Sequence, residues 1–395
     1  MSEKNTLRKV VVITLWGLAA GGALIFILLL LAHRGKEAGA FLIAAFLSLA
    51  LAFRSDERLR GFSFTLLIIA SVTTALFYPT HFQQINGFDL KKLITPLLQV
   101  IMFGMGTTMS MQDFAGVLKM PKGVLVGMLC QFTIMPLIGF SLAHLLAMPP
   151  EIAAGIILIG SVPSGLASNV MSYLAHANLA LSVTLTALAT LFAPLITPLL
   201  MDGLAGEFLE INALSMMFDM TKIVIAPVAI GLIFHHLAHG RFKWLDEMMP
   251  GVSMFGIVYI ITIITAAGRD ALLEVGLLLV IAGIVHNTAG YFLGYWSARL
   301  CKLEERDCRT VAIEVGMQNG GLASALANEL GKMATVGLAP AIFGPVMNVT
   351  GSILANFWRS KPLLTETAED LTTENANSSP DLLSTPNVKR RTTIR

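Results

Sequence analysis

Apolar stretches broken by short polar turns follow one another along the chain, at 10–32, 38–53, 62–80, 93–110, 123–146, 151–172, 179–200, 213–235, 250–267, 271–298, 308–327 and 334–358. A bilayer hydrocarbon core about 30 Å thick takes roughly 20 helical residues per crossing. The pattern therefore predicts twelve transmembrane helices, the second and fourth of them short. Val10–Leu31 does not read as a cleaved signal peptide, because more membrane follows it and not a small-residue cleavage site. The polar turns set the orientation. With Met1–Lys9 in the cytoplasm, the alternating turns carry sixteen Lys and Arg on the inner side (Arg58, Arg60 and Arg241 among them) against six on the outer side. Such a bias places both termini in the cytoplasm, with the protein in the cell (inner) membrane.

Composition agrees and narrows the function classes. Hydrophobic residues make up 55% of the chain and charged residues 13%, an excess that has to face lipid. The net charge is only +2 and the basic residues are dispersed between the spans, so no nucleic-acid partner is expected. Nothing calls for an organic cofactor or an obligate protein partner. Cys130, Cys301 and Cys308 form neither a disulfide framework nor a CxxC metal pair and read as reduced, inert thiols. From Pro362 on, a Thr-, Glu-, Asn- and Ser-rich tail cannot bury enough apolar surface to order itself. Its Asn377-Ser378-Ser379 sequon, on the cytoplasmic side, reads as a chance match.

Three units follow: an N-terminal hairpin at 1–60, a ten-helix unit at 61–358, and a disordered cytoplasmic tail at 359–395. The ten helices divide into halves at about 61–200 and 213–358. An odd number of spans per half inserts the halves with opposite orientation, the inverted-repeat plan of many secondary transporters. Corresponding third spans carry Cys130-Gln131-Phe132 and Val285-His286-Asn287. Corresponding fourth spans are both interrupted, by Gly160-Ser161-Val162-Pro163-Ser164-Gly165 in one half and Glu314-Val315-Gly316-Met317-Gln318-Asn319-Gly320-Gly321 in the other. Backbone loosened at mid-membrane survives only beside a cavity, and paired breaks point to a transport site there. The fold class expected is an all-α polytopic membrane protein in which two discontinuous helices cross.

Glu314 is the sharpest single residue. A carboxylate at the centre of a membrane helix costs about 2.5–3.5 kcal/mol on insertion scales and demands a partner. Its window holds no base, and Lys222, inside a span, has Asp219 within helical pairing reach. A cation from solution is left to balance it. Neutral oxygens accompany it at Ser168, Asn169 and Gln318, and at Ser182 and Thr186, four apart on one helical face. Hydroxyl, amide and carbonyl oxygens with one carboxylate suit a hard cation. Elsewhere Met102, Met105, Met109 and Met111 read as adaptable packing, His286 with Asn287 as interhelical hydrogen bonding, and Asp219 with Lys222 as a structural pair. No HExxH, Gly-x-Ser-x-Gly or aspartate pair lies in the spans, so an intramembrane enzyme lacks its nucleophile or metal. A cation/proton antiporter would need a chain of titrating acids. A proton-coupled or uncoupled anion carrier stays open beside a sodium-coupled one, because Glu314 could bind a proton.

At Phe103-Gly104-Met105-Gly106, Ser168-Asn169-Val170-Met171, Asn178-Leu179-Ala180-Leu181-Ser182 and Glu314-Val315-Gly316-Met317-Gln318-Asn319, the chain resembles the bile acid:sodium symporter family, bacterial type, over roughly Gly61 to Trp358. The resemblance implies ten helices in two inverted repeats of five, a four-helix panel moving against a six-helix core, and sodium carried together with an organic anion. It places one sodium among Ser168, Asn169, Ser182, Thr186 and Glu314. A second would use Gln131, Glu314, Gln318 and the carbonyls of Val315 and Met317. Asn319 and the Pro163-Ser164-Gly165 bend would face the substrate, a bile-acid-like molecule or a small carboxylate or sulfonate. The chain departs from the family pattern in its crossing motif, where Val162-Pro163-Ser164-Gly165-Leu166 replaces the usual Pro-Gly-Gly, and in its N-terminal hairpin and long tail.

Overall fold

A computed structural model describes residues 2–55, 59, 62–238 and 243–361. The tail from Pro362, its sequon, and Arg58, Arg60 and Arg241 of the charge count lie outside the described residues.

The fold is helical from end to end, and each of the twelve apolar windows is helix, though not always in one piece. α1 (Ser2–Leu31) and α2 (Gly35–Arg54) form a hairpin that leans on α3 (Ser63–Phe77), with Phe26 and Phe77 6.3 Å apart edge to face. Exposed Val10, Ile13, Leu18, Leu24 and Leu28 give α1 an apolar surface nearly all round, as lipid requires. A short hairpin follows, β1 (Gln84–Ile85) and β2 (Phe88–Asp89), turning at Asn86-Gly87 with φ 50° and 81°. Asn-Gly is the pair that best tolerates two positive φ angles in succession. Then come α4 (Ile94–Thr108), a short α5 (Met111–Lys119) and α6 (Pro121–Leu145).

The 151–172 window divides into α7 (Pro150–Ser161) and α8 (Leu166–Leu174), and α9 (Leu179–Leu200) follows. α10 (Ala213–Met220) and α11 (Ala226–Ala238) share one window, joined through a π turn at Thr221–Ile225. α12 (Lys243–Ala267) and α13 (Arg269–Leu300) are long. The 308–327 window divides into α14 (Glu305–Gly316) and α15 (Gly320–Glu329), and α16 (Leu338–Arg359) closes the fold. Among the described residues, seven helical stretches are long and apolar enough to cross a bilayer singly, from Val10–Leu31 to Leu338–Arg359. The divided windows, and the 15-residue α3 and α4, account for most of the difference from twelve. The chain is a multi-pass membrane protein.

Two packing features position the site. α4 and α11 meet backbone to backbone, since a Cβ on Gly106 would stand 2.2 Å from the Val228 carbonyl and one on Gly231 2.3 Å from that of Phe103. Small residues permit such approach where lipid offers no hydrophobic push between helices. α7 is the opposite case: every residue from Ile152 to Ser161 is buried, so it runs through the bundle interior. Met102, Met105 and Met109 are buried packing residues, and the Met111 side chain lies outside those described. Lys222 and Asp219 stand 3.6 Å apart at the surface, and all three cysteines are free.

Candidate functional site

The two broken helices meet at their breaks. α7 ends where Val162 turns extended (φ −83°, ψ 159°) and Pro163 brings no N–H; α14 ends where Met317 does the same (φ −117°, ψ 96°). The freed segments pair with each other. Ser164 and Gln318 form an antiparallel bridge, and Asn319 N donates to the Pro163 carbonyl at 2.8 Å. Asn319 also caps α15, its Oδ1 accepting from Leu322 N at 3.0 Å. Backbone groups that lipid could never satisfy are thus answered by the opposite break.

Glu314, on the last turn of α14, is 2% exposed. Its Oε1 accepts from Ser182 Oγ at 2.5 Å, and its Oε2 from Ser164 Oγ at 2.5 Å and Thr186 Oγ1 at 2.9 Å. Asn169 Oδ1 lies 2.8 Å from Ser182 Oγ and 3.2 Å from Thr186 Oγ1, while Ser168 Oγ is 3.5 Å from Thr186 Oγ1 and donates to the Gly165 carbonyl. Each hydroxyl has one proton, so Ser182 and Thr186 cannot serve both the carboxylate and Asn169. The cluster holds more oxygen lone pairs than protons, and no cationic side chain among the described residues forms an ion pair with Glu314. Hard oxygens with a single negative charge are a donor set for a small cation.

A second polar group adjoins it through the Ser164–Gln318 bridge. Gln131, 3% exposed on α6, donates through Nε2 to the Val162 carbonyl at 3.0 Å and to Gln318 Oε1 at 2.6 Å. Gln318 Nε2 donates to the Val315 carbonyl at 2.7 Å. Gln131 Oε1 is buried without a partner, an acceptor aligned with nothing that the protein supplies. Val315 and Met317 are both buried here, Met317 being the first extended residue after α14.

The sequence profile of the sodium bile acid symporter family matches residues 95–275. An uncharacterized sodium-dependent transporter of Bacillus subtilis, YocS, is 38% identical over 309 residues, 78% of this chain and 94% of that protein. The chain belongs to the sodium bile acid symporter family. Two other relatives are a probable chloroplastic sodium/metabolite cotransporter of Oryza sativa subsp. japonica, BASS1, 34% identical over 68% of either chain, and the human ileal sodium/bile acid cotransporter, 33% identical over 62% of this chain and 72% of that one. Members of the symporter family are transporters, not enzymes.

Within that family's motifs, the structure brings together Ser168, Asn169, Ser182, Thr186 and Glu314 in one cluster and Gln131 with Gln318 in the next. The residues that the sequence suggested would face a substrate divide. Gly165 and Asn319 are half-buried and face each other, a Cβ on Gly165 falling 3.5 Å from Asn319 Cα, whereas Pro163 and Ser164 are buried. Ser164, read from the sequence as part of the bend, turns its hydroxyl onto Glu314. It stands where the symporter pattern has its first glycine, and a hydroxyl at that position is the signal that could have suggested a further oxygen for the cluster. Arg309 entered the sequence reading only as one of the inner-side basic residues, with no structural role assigned. It is 4% exposed and donates to Glu305 Oε1 and to the carbonyls of Ala175, Trp358 and Lys361, tying α14 to the ends of α8 and α16. His286 and Asn287 behave as interhelical hydrogen-bonders, to the Met135 carbonyl at 3.2 Å and Thr350 Oγ1 at 3.5 Å.

Proposed function

We propose that the protein is a sodium-coupled symporter of a small organic anion, bile-acid-like or a carboxylate or sulfonate. It works by alternating access in the cell (inner) membrane with both termini in the cytoplasm. The observation that carries the reading is the buried Glu314 carboxylate surrounded by the Ser164, Ser182 and Thr186 hydroxyls and the Asn169 amide oxygen, with no base beside it. One sodium binds there. A second binds at Gln131, Glu314, Gln318 and the Val315 and Met317 carbonyls, where Gln131 Oε1 waits without a partner.

The packing supports two inverted repeats within 61–358. Exchanging α3, α4, α6, α7–α8 and α9 for α10–α11, α12, α13, α14–α15 and α16 carries the packed pair α3/α12 into α4/α11, α6/α7 into α13/α14, and α7/α16 into α14/α9. The first two spans of each repeat form the panel that moves against the other six. The α1–α2 hairpin is peripheral to this unit.

With Glu314 ionised, two sodium ions leave the crossing region positive, and the free amides at half-helix starts add to that potential, so an anion is favoured beside Gly165 and Asn319. Sodium fixes the breaks that the anion touches, and this shared geometry is the coupling. Two sodium ions with a monovalent anion move one net charge inward, worth about 2.3 kcal/mol per 100 mV. The test is uptake of bile-acid-like steroids, sulfonates and small keto acids by proteoliposomes. An inward sodium gradient should drive accumulation of one class, faster with the interior negative, and potassium should not. Uptake that follows a proton gradient and ignores sodium would transfer the coupling role of Glu314 to the proton.

A further inference from the structure

The oxygens around Glu314 do not end at the ion cluster. On α8, Ser168 and Ser172 are four apart and share a face; on α9 so do Ser182 and Thr186, with Asn178 capping the start of that helix; on α14, Asp307, Thr310 and Glu314 share one. The three helices pack on one another. Their polar faces hold the cluster at one level and continue below it. Asn178 N donates to Thr310 Oγ1 at 2.9 Å, Thr310 Oγ1 lies 3.1 Å from the Asn178 carbonyl, and Asn178 Nδ2 donates to Asp307 Oδ1 at 2.8 Å. Asn178 and Asp307 then line a cavity of about 610 Å³, together with His176, Glu304 and Arg306. Between cavity and cluster Ser172 is wholly buried, and its Oγ has no partner. The flanking contacts are apolar, at Leu181 and Leu185 on one side and Met171, Ala312 and Ile313 on another.

We propose that this seam between α8, α9 and α14 is the path by which sodium passes between Glu314 and the cytoplasm, with Ser172 and Thr310 as an intermediate station and Asp307 at the mouth. The proposal rests on the sodium-binding role of Glu314. Seven residues of helix separate Glu314 from Asp307, a rise of about 10 Å. A bare ion cannot cross that distance against apolar side chains, and the ladder supplies oxygens at each turn. The Asn178–Asp307 hydrogen bond closes the mouth, and an arriving cation competes for the same carboxylate.

The experiment is cysteine accessibility in inside-out vesicles of full-length protein whose Cys130, Cys301 and Cys308 have been replaced. Ser172→Cys should react with a small cationic methanethiosulfonate applied to the cytoplasmic face, and sodium but not potassium should slow the reaction. Ser324→Cys, equally buried with an unpartnered hydroxyl but on α15, should not react. The second measurement is Thr310→Val. Losing one oxygen to a desolvated ion should cut sodium-driven uptake about tenfold while the sodium midpoint for thermal stabilisation moves less than about threefold. Thr310→Ser should restore the rate. If sodium fails to stabilise the parent protein, the reading of Glu314 falls. If sodium stabilises it and Ser172→Cys stays inert, or Thr310→Val transports normally, the seam alone is overturned.

Discussion

Replacing Glu314 by Gln removes the charge while keeping the shape, and the geometry fixes what should follow. In the absence of sodium the wild-type protein holds a carboxylate, 2% exposed, against neutral hydroxyls only. An unpaired buried charge costs several kcal/mol even after relaxation, so Glu314→Gln should match or exceed the wild type in stability when only potassium is present. Adding sodium should reverse the order. A ligand confined to the native state stabilises by RT ln(1 + [L]/Kd), about 2.7 kcal/mol at a hundred times Kd. The amide cannot offer four lone pairs to a cation, and the variant should gain almost nothing. The assay is thermal unfolding of purified protein over a sodium series with potassium holding ionic strength constant. The reasoning is refuted if Glu314→Gln is stabilised by sodium as strongly as the wild type, or if sodium and potassium act alike on the wild type while its stability follows pH.

Gln131→Ala should lower the slope of the sodium dependence of uptake from about two toward about one, because it deletes the orphaned Oε1 and leaves the Glu314 cluster intact; an unchanged slope removes Gln131 from the ion count. Gly155→Ala should destabilise the fold by about 1–3 kcal/mol, since its Cβ would stand 2.3 Å from the Val336 carbonyl, while Gly344→Ala, with nothing within 4 Å, should unfold at the wild-type temperature. Arg309→Met should lower stability by about 1–3 kcal/mol, measured by thermal unfolding in detergent, because the carbonyls of Ala175, Trp358 and Lys361 lose a donor while Glu305 keeps Tyr295 and Arg299. Arg309→Lys should not restore it, as an ammonium cannot reproduce the planar fork.

How much of this was legible depended on whether the signal was local. Apolar windows and their interruptions can be read one helix at a time, so the helices and both breaks were visible, as was the pairing of Ser182 with Thr186 four residues apart. Glu314 stood out because a carboxylate in an apolar run is costly whatever surrounds it. The donation from Ser164 to Glu314 was not legible: the residues are 150 apart, and only the meeting of the breaks brings them together. Arg309 was hidden for a similar reason, since carbonyls at helix ends leave no mark in a sequence. α5 carried a local signal that went unused, Ser110 and Asp113 forming a capping box at its start. The π turns at Met201–Ala205 and Thr221–Ile225 fall within unbroken helical stretches and leave the apolar pattern undisturbed.

The reciprocal pairing of the two breaks also sets an order of events during synthesis. The Pro163 carbonyl and the strand-like Ser164 have their partners in Gln318 and Asn319. At about 5–20 residues per second, the 150 residues separating Ser164 from Glu314 take roughly 8–30 s to appear. For that interval the N-terminal half sits in the bilayer with open backbone groups at its midplane. The nascent half must either keep its broken span near the water interface or be shielded until the second break arrives, so its maturation is tied to the completion of the polypeptide.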